Sequence, residues 1–347
     1  MLTGGVFLDL SKAFDMIPHS ILMRKLYNYG IRGKAYDILE SYLTNRSQSV
    51  FLYGTESSKQ SISCGVPQGS VLGPTLFLIY INDVFKYSIS KLSLYADDIN
   101  LLYNGYNLNE LINKINIDLK TLEQWFNSNK LLVNPTKSSF IIFRPRQLRL
   151  KLQNSPPVVL MNNKKINLVH STKFLGVFLD ETLSWKPHIS HINKKIAAGL
   201  SYLTRLRHFL PVNSLKTIYD AFIDTHIRYG IESWGTACNT TLDPLIKLQK
   251  RALRILHFLP STTSTLEVFA TDGILTVTQL AFYQLGIMMK KIVTDSAILP
   301  KVQPKNTRYS IRCHSDNNKP LYISKVRSNY GKLKIEFIGS KLHMEQP

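Results

Sequence analysis

At 347 residues, with 44% hydrophobic and 10% aromatic side chains, the chain has apolar material for a packed core in one large or two smaller domains, which excludes wholesale disorder. Forty-three Lys+Arg against 23 Asp+Glu leave a formal charge of +20, an excess that points to nucleic acid as a polyanionic partner, with an ordinary basic soluble protein as the plain alternative. Cys64, Cys238 and Cys313 are too few and too scattered for a disulfide framework or a zinc site and fit a reducing intracellular compartment. No apolar run has membrane-spanning length, and the start carries no targeting signal.

Phe7-Leu8-Asp9-Leu10 reads as an apolar strand carrying one acid, with the aromatic Phe14 five residues after Asp9. Taken alone, Asp9 is equally a strand-end cap and Phe14 a core ring. Pro18 opens a helix in a permissive position and Gly30 closes it. A second helix is expected from Lys34 to Leu43, with Ile38, Leu39 and Tyr42 on one face. Ser49 to Tyr53 and Gln60 to Ser63 read as a strand pair across the turn Gly54 to Ser58. Gly65-Val66-Pro67-Gln68-Gly69-Ser70-Val71-Leu72-Gly73-Pro74 is a loop in which backbone can approach a ligand, with Gln68 projecting from it. It matches neither the P-loop nor the dinucleotide fingerprint. An apolar helix through Leu76, Phe77 and Tyr80 follows.

Lys91 to Leu94 and Ile99 to Tyr103 are β-prone runs around Tyr95-Ala96-Asp97-Asp98, which predicts a hairpin with two carboxylates at its tip. Adjacent carboxylates repel each other and resist burial, and hard oxygen ligands of this kind suit Mg²⁺ or Mn²⁺. An ordinary Asx-type turn is the competing reading. A helix from about Asn109 to Asn127 follows, with Leu111, Ile115, Leu119, Leu122 and Phe126 on one stripe, then Asn129 to Ser138 at a helix-to-strand junction. A basic run extends from Arg144 to Lys151, Ser155-Pro156-Pro157 breaks the structure, and short strands are expected around Val159 and Lys165.

Beyond Leu183 the pattern turns helical. Ile189, Ile192, Ile196, Leu200, Leu203 and Leu206 form an apolar stripe, with Lys194, Ser201, Arg205 and His208 on another face. A second helix after Pro211 is expected to turn Leu215, Ile218, Phe222 and Ile223 inward. A third, Leu242 to Leu259, would bury Leu245, Leu248, Ala252 and Ile255 opposite Lys247, Lys250, Arg254 and His257. The two basic stripes fit a phosphate-tracking surface as well as a solvated charged face. Thr276 to Ile292 reads as one more helix, and from Pro300 the chain is polar, basic and irregular.

The acid strand with Phe14, the Pro67-Gln68-Gly69 loop and the Tyr95-Ala96-Asp97-Asp98 hairpin, in that order, resemble a reverse transcriptase palm. The wording around them is similar to non-LTR (LINE-type, jockey-like) retrotransposon polymerases. Asn129 to Ser138 resembles the family's next motif, Thr172 to Asp180 its primer-grip hairpin, and Val326 to Lys332 the tail of some jockey-like elements. The resemblance implies an α+β fold: a right-hand palm with an antiparallel sheet and packed helices over 1–183, a helical thumb over 184–260, and a partly irregular C-terminal extension over 261–347. The fingers are expected to be largely missing, as in a chain truncated at the N-terminus.

It further implies that Asp9, Asp97 and Asp98 hold Mg²⁺ or Mn²⁺ and that Phe14 excludes the 2′-OH. Gln68 and Gly69 would meet the incoming nucleotide, and Lys137 the leaving pyrophosphate. Lys194, Arg205, Lys247, Lys250 and Arg254 would grip nucleic acid. The implied partners are an RNA template, a DNA primer and deoxynucleoside triphosphates, with no membrane, and the family's location is nucleus and cytoplasm. The implied activity is RNA-directed DNA synthesis; the alternative is an inactive truncated remnant that only binds nucleic acid.

Overall fold

In the computed structural model, which describes residues 1–148 and 157–294, the strand β1 (Leu2–Leu8) is the axis of the first of two compact units, Met1–Leu183. Leu2, Val6, Phe7 and Leu8 are all buried, as expected of a central strand with a neighbour on each side. After it come β2 (Leu10–Ser11), helices α1 (His19–Asn28) and α2 (Lys34–Leu43), and the short strands β3 (Ser47–Gln48), β4 (Phe51–Leu52), β5 (Thr55–Glu56) and β6 (Gln60–Ser61). Helix α3 (Leu72–Ile81), the hairpin β7 (Lys91–Tyr95) and β8 (Asp98–Gly105), and the long helix α4 (Leu108–Ser128) follow. The unit closes with β9 (Leu132–Val133), β10 (Ser139–Phe143), β11 (Val159–Met161), β12 (Lys164–Leu168), and the hairpin β13 (Ser171–Phe174) and β14 (Val177–Asp180).

The main sheet has six strands in the order β11-β12-β10-β1-β8-β7. All its pairings are antiparallel except β10 with β12. Helix α4 packs on this sheet through Leu111, Ile115, Leu119, Leu122 and Phe126, the stripe expected from its 3.6-residue period. Its start is fixed by Asn107, whose Oδ1 accepts from the Glu110 N–H at 2.9 Å. The buried Asp118 on α4 accepts from the Ile89 N–H (2.9 Å), Ser88 Oγ (2.7 Å) and Tyr103 Oη (2.8 Å). One carboxylate thus ties the outer ends of β7 and β8 to the helix. Phe174 on the β13–β14 hairpin stacks on Phe7, with ring centroids 5.4 Å apart.

The strand pair expected over 49–63 is two nested ladders, β3 with β6 and β4 with β5. The inner turn is Tyr53-Gly54, both at positive φ, a two-residue loop that suits the strand twist better than the longer expected turn.

The second unit, Ser184–Pro347, is helical over its described part. It contains α5 (Lys186–Leu206), α6 (Val212–Tyr219), α7 (Thr225–Arg228), α8 (Ile231–Trp234), α9 (Asn239–Leu256), α10 (Leu266–Asp272) and α11 (Val277–Thr294), with a π-helical turn at Asp220–Asp224 after α6. α5 packs on α9 and α6, and α11 on α8 and α9.

Two buried stripes differ from expectation. The π turn inserts a residue into the helical repeat, so Leu215, Tyr219, Ile223 and Ile227 are buried while Phe222 is 46% exposed. On α9 the buried set is Thr241, Leu242, Leu245, Gln249, Ala252, Leu253 and Leu256. A glutamine can join it because its amide is satisfied: Nε2 donates to Leu275 O at 3.0 Å and Tyr219 Oη at 3.3 Å, and Oε1 accepts from the Val277 N–H at 3.1 Å. The expected residues Arg149 to Lys151, Ser155-Pro156, Cys313 and everything from Pro300 onward lie outside the described residues. Among those described, no helix is long and apolar enough to cross a membrane.

Candidate active site

Asp9 is the residue immediately after β1, and Asp98 is the first residue of β8. The antiparallel register pairs Phe7 with Asn100 and Leu8 with Ile99, so Asp9 leaves β1 at the end of the sheet where Asp98 opens β8. Across the hairpin Tyr95 pairs with Asp98, leaving Ala96-Asp97 as a two-residue loop. Ala96 has φ +52°, a left-handed conformation that costs a Cβ-bearing residue about 1 kcal/mol or more. Asp97 and Asp98 are exposed and Asp9 is half-buried. The Asp98 carboxyl is pushed above its ordinary pKa by partial burial first, then by repulsion from Asp97 and from Asp9.

Three carboxylates therefore share one neighbourhood, and the donor set is hard and anionic, which fits a divalent cation with oxygen ligands. Among the described residues no three His, Cys, Asp or Glu side chains are grouped closely enough to enclose a metal ion.

The segment after α4 buttresses Asp9. β9 pairs with β2, Leu10 opposite Val133, and the Asn134 N–H donates to Asp9 O at 2.8 Å. The Asp9 N–H in turn donates to Ser138 Oγ at 3.1 Å, and that hydroxyl donates to Asn134 O at 2.7 Å. Asn134 Oδ1 accepts from Thr136 N–H (3.1 Å) and Thr136 Oγ1 (2.7 Å), an Asx-type turn that ends on the exposed Lys137. The far end of the segment is tied to α3 by Tyr80 Oη, which donates to Asn129 O at 2.5 Å.

Phe14 and Gln68 are brought together by backbone. Val66 N–H donates to Phe14 O at 2.9 Å and Gly65 N–H to Ile17 O at 2.7 Å. Gly65 has φ +91°, and a Cβ there would stand 3.0 Å from Asp15 O, so only glycine permits this approach. His19 Nε2 lies 2.7 Å from Gly65 O. Gln68 donates from Nε2 to Asp15 Oδ1 at 2.9 Å. Gly69 follows at φ +80° with open space where a Cβ would be. The Phe14 ring lies on Phe77, centroids 4.6 Å apart and planes inclined by 31°.

Sequence reasoning missed Ser138, Asn134, Asp15 and Phe77 as supports. Asn134-Pro135-Thr136 carried a turn signal, whereas the hydrogen bonds of Ser138 and Asp15 join residues far apart in the chain.

In the second unit Lys194 and Arg205 on α5 and Lys247 on α9 are exposed, and Lys250 is half-buried. Arg254 is also half-buried and donates from Nε to Thr263 O at 2.8 Å, so part of its donor fork is engaged within the protein.

The chain resembles the probable RNA-directed DNA polymerase from transposon X-element of Drosophila melanogaster, 27% identical over 261 residues that cover 73% of this chain and 28% of the relative. The RNA-directed DNA polymerase from mobile element jockey of the same fly is 28% identical, covering 72% and 28%. That from transposon BS is 29% identical, covering 74% and 29%. The chain thus spans little more than a quarter of the length of these relatives. A solved telomerase from Candida albicans aligns with 79% of this chain and 51% of its own, at 11% identity and a TM-score of 0.42, too slight a likeness to carry an argument. The profile of the reverse transcriptase (RNA-dependent DNA polymerase) family matches residues 2–179, just over half the chain and nearly all of the unit that holds the three acids; the chain belongs to that family.

Proposed function

We propose that this chain carries the catalytic core of an RNA-directed DNA polymerase of a non-LTR retrotransposon, adding deoxynucleotides to a primer 3′ end on an RNA template. The observation that supports the reading is the register of β1 against β8, which ends at Leu8 opposite Ile99 and so brings Asp9 and Asp98 to the same end of the sheet, with Asp97 in the adjoining loop. Residues 1–183 act as palm, 184–260 as thumb and 261–347 as an extension. Asp9, Asp97 and Asp98 would hold Mg²⁺ or Mn²⁺, which when bound lowers the pKa of the primer hydroxyl and neutralises charge on the leaving pyrophosphate. Phe14 stands against the 2′ position of the sugar, Gln68 and Gly69 line the nucleotide pocket, and Lys137 brings positive charge to the departing phosphates. Lys194, Arg205, Lys247, Lys250 and the free part of the Arg254 fork track backbone phosphates.

Primer extension on an RNA template with Mg²⁺ or Mn²⁺ and deoxynucleotides, with Asp97→Asn alongside, tests this. An amide is a poorer ligand for a hard cation, so extension is expected in the wild type and lost in the variant. Equal extension by both removes the acids from the chemistry. Salt-sensitive template–primer binding with no extension by either makes the chain a nucleic-acid-binding remnant.

A further inference from the structure

Residues 14–19 and 64–66 are zipped together through their backbones. Val66 N–H donates to Phe14 O at 2.9 Å, Gly65 N–H donates to Ile17 O at 2.7 Å, and Pro18 pairs with Cys64 in an antiparallel bridge. The Gly65 carbonyl is held by a side chain instead: His19 Nε2 lies 2.7 Å from Gly65 O, 46 residues away in the chain. A carbonyl oxygen only accepts, so Nε2 is the nitrogen that carries the hydrogen. Gly65 is thus pinned at both of its polar groups, at φ +91° and with Asp15 O standing 3.0 Å from where a Cβ would be.

Nothing in α1 itself calls for a histidine at its first position. Side chains that serve a helix start accept from its free N–H groups, and positive charge there opposes the helix dipole. α1 has neither a side-chain cap nor an acid in its first turn, and the half-buried His19 reaches across to the glycine loop. On the far side of that loop Ser70 Oγ donates to Pro67 O at 2.7 Å and accepts from the Gly73 N–H at 2.9 Å. The exposed pair Gln68-Gly69 therefore lies between two anchored points. We propose that His19 is a positioning residue for the incoming nucleotide, holding Gly65 O so that Gln68 and Gly69 stand at a fixed place in the pocket. It touches no substrate and acts on backbone, so it serves all four bases alike. The inference rests on reading Gln68 and Gly69 as pocket residues, and it adds the side chain that keeps the pocket in place.

The test is steady-state incorporation of each deoxynucleotide by the full chain at saturating template–primer, comparing His19→Leu, which has no donor, with His19→Gln, whose side-chain amide can donate to the same carbonyl. His19→Leu is expected to raise the KM for every deoxynucleotide about fivefold, the effect of one ordinary hydrogen bond, with kcat per active site close to wild type. His19→Gln is expected to stay within about twofold of wild type, because it restores that bond. Hydrogen exchange over residues 64–69, expected to be faster in His19→Leu and near wild type in His19→Gln, reads the clasp without turnover. A wild-type KM in His19→Leu, with or without a fall in melting temperature, overturns the positioning role. So does His19→Gln as impaired as His19→Leu, or unchanged exchange in both, and each of these leaves the polymerase reading intact. A wild-type chain that incorporates no deoxynucleotide overturns the polymerase reading itself, and this role falls with it.

Discussion

Gln68 is tethered to Asp15: its Nε2 donates to the Asp15 carboxylate at 2.9 Å, joining the glycine loop to the turn that follows Asp9. Both residues are exposed, so the bond adds little to stability, yet it fixes where the amide points. Asp15→Ala frees that amide. With about 1 kcal/mol of orientation lost, the KM for deoxynucleotide is expected to rise about fivefold while kcat and the melting temperature stay close to wild type. Steady-state kinetics at saturating template–primer give the answer, and a fall in kcat at constant KM would refute a positioning role in nucleotide binding.

Ser138 holds the backbone of Asp9 itself. Its hydroxyl accepts from the Asp9 N–H and donates to Asn134 O, and the residue is 1% exposed. Ser138→Ala leaves two partly buried main-chain groups, Asp9 N–H and Asn134 O, without that partner, at a cost of about 1–3 kcal/mol. A domain of this size loses roughly 2–4 °C of melting temperature per kcal/mol. If Asp9 holds the metal, the Mg²⁺ concentration for half-maximal extension is expected to rise alongside, since the Asp9 backbone has lost its stay. A variant that melts early but titrates with Mg²⁺ like the wild type would make Ser138 a stability residue alone.

The placement of the candidate residues was legible where it is local. Asp97 and Asp98 sit in a hairpin that alternation and a short break define by themselves, and Phe14 and the Pro67-Gln68-Gly69 loop lie in contiguous stretches. The α4 stripe followed from periodicity alone. What escaped depends on partners distant in sequence. The Gln249 amide is welcome in a core only because Leu275, Val277 and Tyr219 supply its hydrogen bonds, and nothing near residue 249 announces them. Phe222 was expected inward because a uniform 3.6-residue repeat was assumed, and the π turn at Asp220–Asp224 breaks that repeat.

The crowding of acids gives Asp98 a pH signature. Its folded-state pKa lies above the ordinary 3.8 because partial burial, Asp97 and Asp9 all disfavour the charge. The folded state therefore holds this proton more tightly than the unfolded chain does. Stability from this group is present at low pH and is lost as pH rises from the ordinary value through the raised one. Asp98→Asn removes the penalty, so it is expected to melt higher than wild type at pH 7, with the difference shrinking as pH approaches 4. Adding Mg²⁺ at pH 7 is expected to raise the wild-type melting temperature more than that of the variant. Thermal melts at the two pH values decide it, and a gap of equal size at both would mean that repulsion among the three carboxylates is not its origin.

Phe14 owes its position to Phe77, which is fully buried on α3 and stacks 4.6 Å behind it. If the Phe14 ring stands where a 2′-OH would go, Phe14→Val opens that space, and the preference for deoxynucleotides over ribonucleotides is expected to fall. Phe77→Leu leaves Phe14 in place but removes the flat surface behind it, at a cost of about 1 kcal/mol or slightly more in packing. A ring free to retreat discriminates less sharply, so Phe77→Leu is expected to fall between wild type and Phe14→Val in sugar preference. Single-nucleotide incorporation with matched deoxy- and ribonucleotide pairs measures the ratio directly, and the ratio is insensitive to any loss of folded enzyme because both substrates meet the same active fraction. If Phe14→Val leaves the ratio unchanged, the ring does not face the sugar. If only Phe77→Leu leaves it unchanged, the ring faces the sugar but is held there by its own backbone, which the Val66 N–H bond to Phe14 O already ties to the glycine loop.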